Sequence, residues 1–126
     1  MASNRAVRFG PVALTTTLTT NILNPNVTSL AGPVGFTLTQ PYIILRHIRI
    51  VNVTAGAVTF TLCIGATGAT ASSANAFMGF GKSIAANSFE DWYGLVRLDA
   101  ADFLVGGSNT TTALAIEGEG EIGVSG

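Results

Sequence analysis

One cysteine, one histidine and one tryptophan in 126 residues, with charged side chains at only 10%, mark this chain first by what it lacks. Cys63 has no second cysteine to pair with, and its place in an alternating β pattern makes it a small packing residue with no redox role. His47 would serve a hydrolytic triad or a metal centre only with partners of the right kind in reach, and it is read as structural. No apolar run approaches the roughly 20 residues of a membrane-spanning helix, because Pro, Gly, Asn, Thr or a charge interrupts each one. The opening MASNRAVRFGPVALTTT lacks a signal-peptide apolar core and cleavage site, so the chain is expected to begin life in a cytoplasm. Six cations against seven anions give a net charge of −1, which offers no footprint for nucleic acid or anionic lipid. Partners of both kinds are set aside.

What is present is β-rich. Hydrophobic residues make up 48% and glycines number 15, while the length suits one core and therefore one domain. So few charges leave a large neutral surface, poorly protected against association, and part of it is expected to be covered by partner chains. Residues 1–10 read as a flexible arm in which only Val7 and Phe9 offer anchors, and 11–126 as a single β-sandwich domain. Strands are expected over 11–20, 27–30 and 34–40, and then in the long run 42–54, where Ile44, Ile48 and Ile50 share one parity and His47, Arg49, Val51 and Val53 the other. Both faces are thus partly apolar and a bulge or a crossing between sheets is expected; Arg46 interrupts the first parity and is placed near a strand end or a subunit contact. Arg46–Gly65 reads as a hairpin about Thr54-Ala55-Gly56-Ala57, with Val58, Phe60, Leu62 and Ile64 alternating against Thr59, Thr61 and Cys63. The small-residue stretch 66–76 reads as an exposed loop tip, and strands follow at 77–84, 89–93 and 95–98. Asp99 stands at the N-cap of one helical turn stopped by Gly106-Gly107. A last hairpin about Gly118 turns Leu114, Ile116, Ile122 and Val124 inward and Glu117, Glu119 and Glu121 outward. Together these give an all-β fold, an antiparallel β-sandwich or jelly roll with at most one short helical turn.

Chemistry finds little support. Glu90-Asp91, Asp99/Asp102 and Glu117/Glu119/Glu121 are the only carboxylate groupings, and they fit opposite strand faces, a turn and a solvated strand better than the paired acids of a glycosidase. A calcium site on such scattered oxygens is the weaker alternative. Gly81-Lys82-Ser83 fails as a phosphate loop because Ala76 stands where the first glycine belongs. No catalytic residue, cofactor or metal ligand is assigned. Trp92 and Tyr93, with Phe77, Phe80 and Phe89, read as core or interface anchors ahead of a sugar platform.

The block RHIRIVNVTAGAVTFTLCIG, then SIAANSFEDWYG, LVRLDAADFL and TALAIEGEGEIGV, resembles small virion proteins of tailed bacteriophages across residues 40–124. The resemblance implies a β-sandwich within a virus particle, as a capsid decoration or cement protein or a small part of the neck or tail. It implies partners among the major capsid protein and other virion proteins, a homo-oligomer with a trimer favoured, and no enzymatic activity. Candidate partner-binding residues are Arg5, Arg8 and Phe9 on the arm, Arg46 on the long strand, and Trp92 and Tyr93 in the aromatic block.

Overall fold

Strand-forming alternation in this sequence resolves into eight strands: β1 Arg5–Ala13, β2 Asn21–Leu23, β3 Pro41–Asn52, β4 Val58–Gly65, β5 Ala76–Ile84, β6 Phe89–Leu98, β7 Phe103–Ser108 and β8 Leu114–Val124. The computed structural model describes residues 5–25, 41–66 and 71–124, and the expected strands at 27–30 and 34–40 lie outside them. The strands form two four-stranded antiparallel sheets, in the orders β1-β8-β3-β6 and β2-β7-β4-β5. Strand 4 pairs with 5, 3 with 6, 2 with 7 and 1 with 8, the nested pattern of a long ribbon rolled into two Greek keys. The expected antiparallel sandwich is present, and its strand order is that of a jelly roll. The only helical element among the described residues is a single 3₁₀ turn, Ser73–Asn75, whose Ser72 N–H is held by Asn75 Oδ1 at 3.1 Å.

The core forms where both sheets turn an apolar parity toward each other. Val7, Phe9, Ile43, Leu45, Ile48, Ile50, Leu114, Ile116 and Ile122 contribute from the first sheet, and Leu23, Val58, Phe60, Leu62, Ile84 and Leu104 from the second. Along β3 the inward parity changes at Arg46: Ile43 and Leu45 precede it, Ile48 and Ile50 follow it, and the register with both neighbours shifts there. Against β8, Arg46 is the extra residue of a bulge, which lets its charge stand in solvent without displacing either half of the strand from the core; against β6 the extra residue lies on β6.

Several expectations change. Of the strand expected over 11–20 only 11–13 is extended, as the end of β1, and Ile44 faces outward, apart from Ile48 and Ile50, because the parity of β3 changes at Arg46. The chain from Arg5 to Gly10 is no arm; it is the first part of β1, hydrogen-bonded to β8, with Val7 5% and Phe9 2% exposed. Arg46–Gly65 is no hairpin, because β3 and β4 belong to different sheets and the turn between them carries the chain across the sandwich. Buried Asn52 fastens that corner: its amide donates to the carbonyls of Gly56, Ile84 and Ala85 at 2.9–3.2 Å, and its Oδ1 accepts from the Thr54 N–H and hydroxyl at 2.9 and 2.7 Å. Asp99–Asp102 closes as a tight turn in place of a helix, with the Asp99 N–H on Asp102 Oδ2 and the Asp102 N–H on the Asp99 carbonyl, both at 2.9 Å. Gly106 and Gly107 then sit within β7. Residues 114–124 form one uninterrupted strand, β8, in which Gly118 is buried. A Cβ there would stand 2.4 Å from the Phe9 ring and 2.8 Å from the His47 carbonyl, so the glycine marks a close approach inside a sheet and no turn.

The sheet margins are blunted. β1 shifts register between Phe9 and Val12, and β5 shifts twice against β4, with Met78 and Gly81 at positive φ. Across the open side, Lys82 Nζ on β5 reaches Glu90 Oε2 on β6 at 2.9 Å. Irregular backbone and charge at the edge discourage strand addition by another chain.

Candidate functional site

Alternation places β8 residues Glu117, Glu119 and Glu121 on the outer face of the first sheet, and puts His47 and Arg49 of β3 beside them. In register, Glu119 lies between Arg8 of β1 and His47, and His47 lies between Glu119 and Tyr93 of β6. The next row reads Glu117, Arg49, Asp91. Opposite charges thus face each other across neighbouring strands, the favourable arrangement of cross-strand pairs.

His47 is the centre. Its Nε2 lies 2.9 Å from Asp91 Oδ1 and its Nδ1 3.0 Å from Glu119 Oε1. An ionised carboxylate only accepts, so both contacts are hydrogen bonds when both ring nitrogens carry protons, which is the imidazolium form. Burial opposes that charge, but the bonds to Asp91 and Glu119 outweigh it and raise the His47 pKa above the ordinary 6.5. Arg49 grips Asp91 with two prongs, Nε to Oδ1 at 2.8 Å and Nη2 to Oδ2 at 2.9 Å. That fork first, and His47 second, lowers the Asp91 pKa from 3.8 to about 2; the same bond raises that of Arg49.

Aromatic rings lie against the cations. Tyr93 stacks on His47 with ring centres 4.6 Å apart and planes 15° from parallel. Arg49 covers Phe89 at 4.6 Å, and Arg97 covers Tyr42 at 4.1 Å. Phe89, Tyr93 and Leu95 remain 54%, 70% and 67% exposed, so edge strand β6 presents apolar area whose ring positions are set from beneath.

The sequence-derived candidates separate. Arg8 is exposed on this face, Tyr93 stands at its far side, and Arg46 extends from the bulge to Glu121 at 2.6 Å. Phe9 is a core residue, because pairing with β8 sets its ring over Gly118. Trp92 pairs with Ile48 on the inward parity, where its half-buried ring meets Phe77 edge-on at 5.0 Å. The backbone of Arg5 pairs with Ile122, and its side chain lies outside the described residues. From sequence, His47, Asp91 and Glu119 were weighed separately and set aside as structural, Arg49 was not considered, and nothing grouped the four. The signal available was three alternate glutamates on one strand and the basic run Arg46-His47-Arg49 on another.

As chemistry, this cluster holds charge in place. As imidazolium, with both nitrogens protonated and on carboxylates, His47 has no lone pair to accept a proton from a hydroxyl or thiol, as a nucleophile's base would have to. Among the described residues no group of three or more His, Cys, Asp and Glu is arranged to hold a metal ion. On the opposite sheet, a groove of ≈ 320 Å³ is lined by Thr16, Leu18, Thr59, Thr61, Ser108 and Asn109 among others. Its polar atoms serve the fold: Thr61 Oγ1 accepts from Gly81, Asn109 Oδ1 from Thr59, and the Ser108 hydroxyl bonds the Thr110 carbonyl. No protein-family model and no curated protein sequence matches this chain.

Proposed function

We propose that this chain is a non-enzymatic structural protein of a tailed-bacteriophage particle, of the capsid decoration or cement kind, which stabilises the shell by bridging capsid subunits. The observation that carries the reading is the outer flank of β6, where Phe89, Tyr93 and Leu95 stand in solvent while Arg49 and His47 fix the two rings. Rigid aromatic groups bind protein partners at low entropic cost, and such residues dominate interface energetics. The chain's low charge suits a subunit packed among symmetric neighbours, and the reading takes it as a homo-oligomer, with a trimer favoured. Jelly rolls occur in capsid proteins and in lectins alike, so the fold supports the reading by analogy only. A glycan-binding role through Trp92 is disfavoured by that ring's inward position against Phe77.

Quantitative mass spectrometry of purified particles against the major shell protein tests the proposal. Hundreds of copies per particle are expected of a decoration protein; a ring's worth would place the chain in the neck or tail, and none would overturn the virion reading. The surface is tested by a Tyr93→Ser, Leu95→Ser double variant, which should stay folded and lose particle binding. Removing residues 1–10 is no clean test, since it takes Val7 and Phe9 out of the core.

A further inference from the structure

We propose that His47 is a proton-operated latch across the first sheet: as imidazolium it ties β3 to β6 through Asp91 and to β8 through Glu119, and on losing a proton it keeps Asp91 and releases Glu119. The asymmetry follows from the two carboxylates. Asp91 is also held by the Arg49 fork and its side chain is only 16% exposed, whereas Glu119 is 62% exposed and makes its bond to His47 at the surface. A neutral imidazole has one N–H to give, and its remaining lone pair then faces a carboxylate, which is repulsive. The contact that yields is the one with an alternative in water, so the proton leaves Nδ1 and Glu119 turns away.

Arg8 lies opposite Glu119 in the register, and Arg8, His47, Glu117, Gly118 and Glu119 line one small cavity of ≈ 30 Å³. That space is enough for about one water molecule. Released Glu119 therefore has a cation beside it on β1, and the link moves from β8–β3 to β8–β1. The other groups facing the imidazole are Tyr93 and Asp91 from β6, Glu117 and Glu121 from β8, and Arg46 and Arg49 on its own strand. Glu121 is engaged by Arg46 and Asp91 by Arg49, so Glu119 is the carboxylate whose partner changes. Tyr93, stacked on the ring, feels the loss of charge directly. The latch thus couples external pH to the exposed flank of β6, independently of which partner that flank binds.

An NMR titration of the imidazole signals of the full chain between pH 4 and 9 tests this. The expected result is a His47 midpoint above 6.5, a fall in that midpoint in Glu119→Gln, and Tyr93 ring signals that move with the same midpoint as His47. The Glu119 carboxylate carbon should shift at that midpoint too, and in Arg8→Gln this shift should shrink. A His47 midpoint at or below 6.5, one unmoved by Glu119→Gln, or Tyr93 signals indifferent to it would overturn the proposal. Both variants change exposed side chains, so loss of fold does not obscure the outcome.

Discussion

A glutamate and an aspartate on one imidazole make the stability of this sheet depend on pH from two sides. Asp91 has its pKa lowered to about 2, so its contribution is present above the unfolded value of 3.8 and is lost as pH falls through about 2. His47 has its pKa raised, so its contribution is complete below 6.5 and is lost as pH rises through the folded value. The difference in melting temperature between the native chain and His47→Gln should therefore be greatest between pH 3.8 and 6.5 and shrink on either side, as scanning calorimetry across pH would show. Two buried positions are sensitive for steric and polar reasons. Gly118→Ala drives a methyl group into the Phe9 ring and the His47 carbonyl and should cost at least about 1–3 kcal/mol in urea denaturation. Asn52→Leu leaves buried corner groups without their partner and should cost roughly 3 kcal/mol by the same measurement. None of these residues showed its role locally. Asn52 sits in an ordinary Asn-x-Thr triplet, and the His47 partners lie 44 and 72 residues away along the chain.

Strands were legible where alternation was long. The inward residues of β4 and the two faces of β8 follow directly from parity, because burial on one face imposes a period of two. In β3, by contrast, the grouping of Ile44 with Ile48 and Ile50 fails because the parity changes at Arg46 and it is Ile43 and Leu45 that face the core. Connections were harder, since the same turn residues serve a hairpin and a corner between sheets. Thr54–Ala57 is of the second kind, and only the pairing of β3 with β6 and β8 distinguishes the two. Asp99 likewise offers its neighbours a local hydrogen bond that suits a helix start or a tight turn, and the apolar Phe103-Leu104-Val105 after it was claimed by β7. The blunted β5–β6 side carries a prediction at this scale. Lys82→Val with Glu90→Val removes the charges that bridge two open edges and should promote self-association, seen as growth in mass by light scattering at fixed concentration. A double variant that stays the size of the native chain would show that backbone irregularity alone guards the edge.

Taken as a whole, the molecule is an all-β sandwich whose class could be read from composition and spacing, while its wiring could not. Strand number and strand length are local properties; which strand lies beside which is settled by burial across the entire chain. The nested order has a consequence for how the protein comes into being. β8 stands between β1 and β3 and leaves the ribosome after the other seven, so the first sheet has no continuous hydrogen-bond network until synthesis has passed Val124. Among the described strands only β4 and β5 are neighbours both in sequence and within a sheet, so their pairing is the one that a local connection can bring about. A chain stopped at Ala113 should therefore be digested by protease as an unfolded polypeptide, whereas the full chain should resist it. The completed fold should form in milliseconds to seconds, as chains dominated by distant pairings do. During translation, then, β1 and β3 wait with their apolar faces uncovered, and the chain's low charge leaves those nascent strands in need of early shielding.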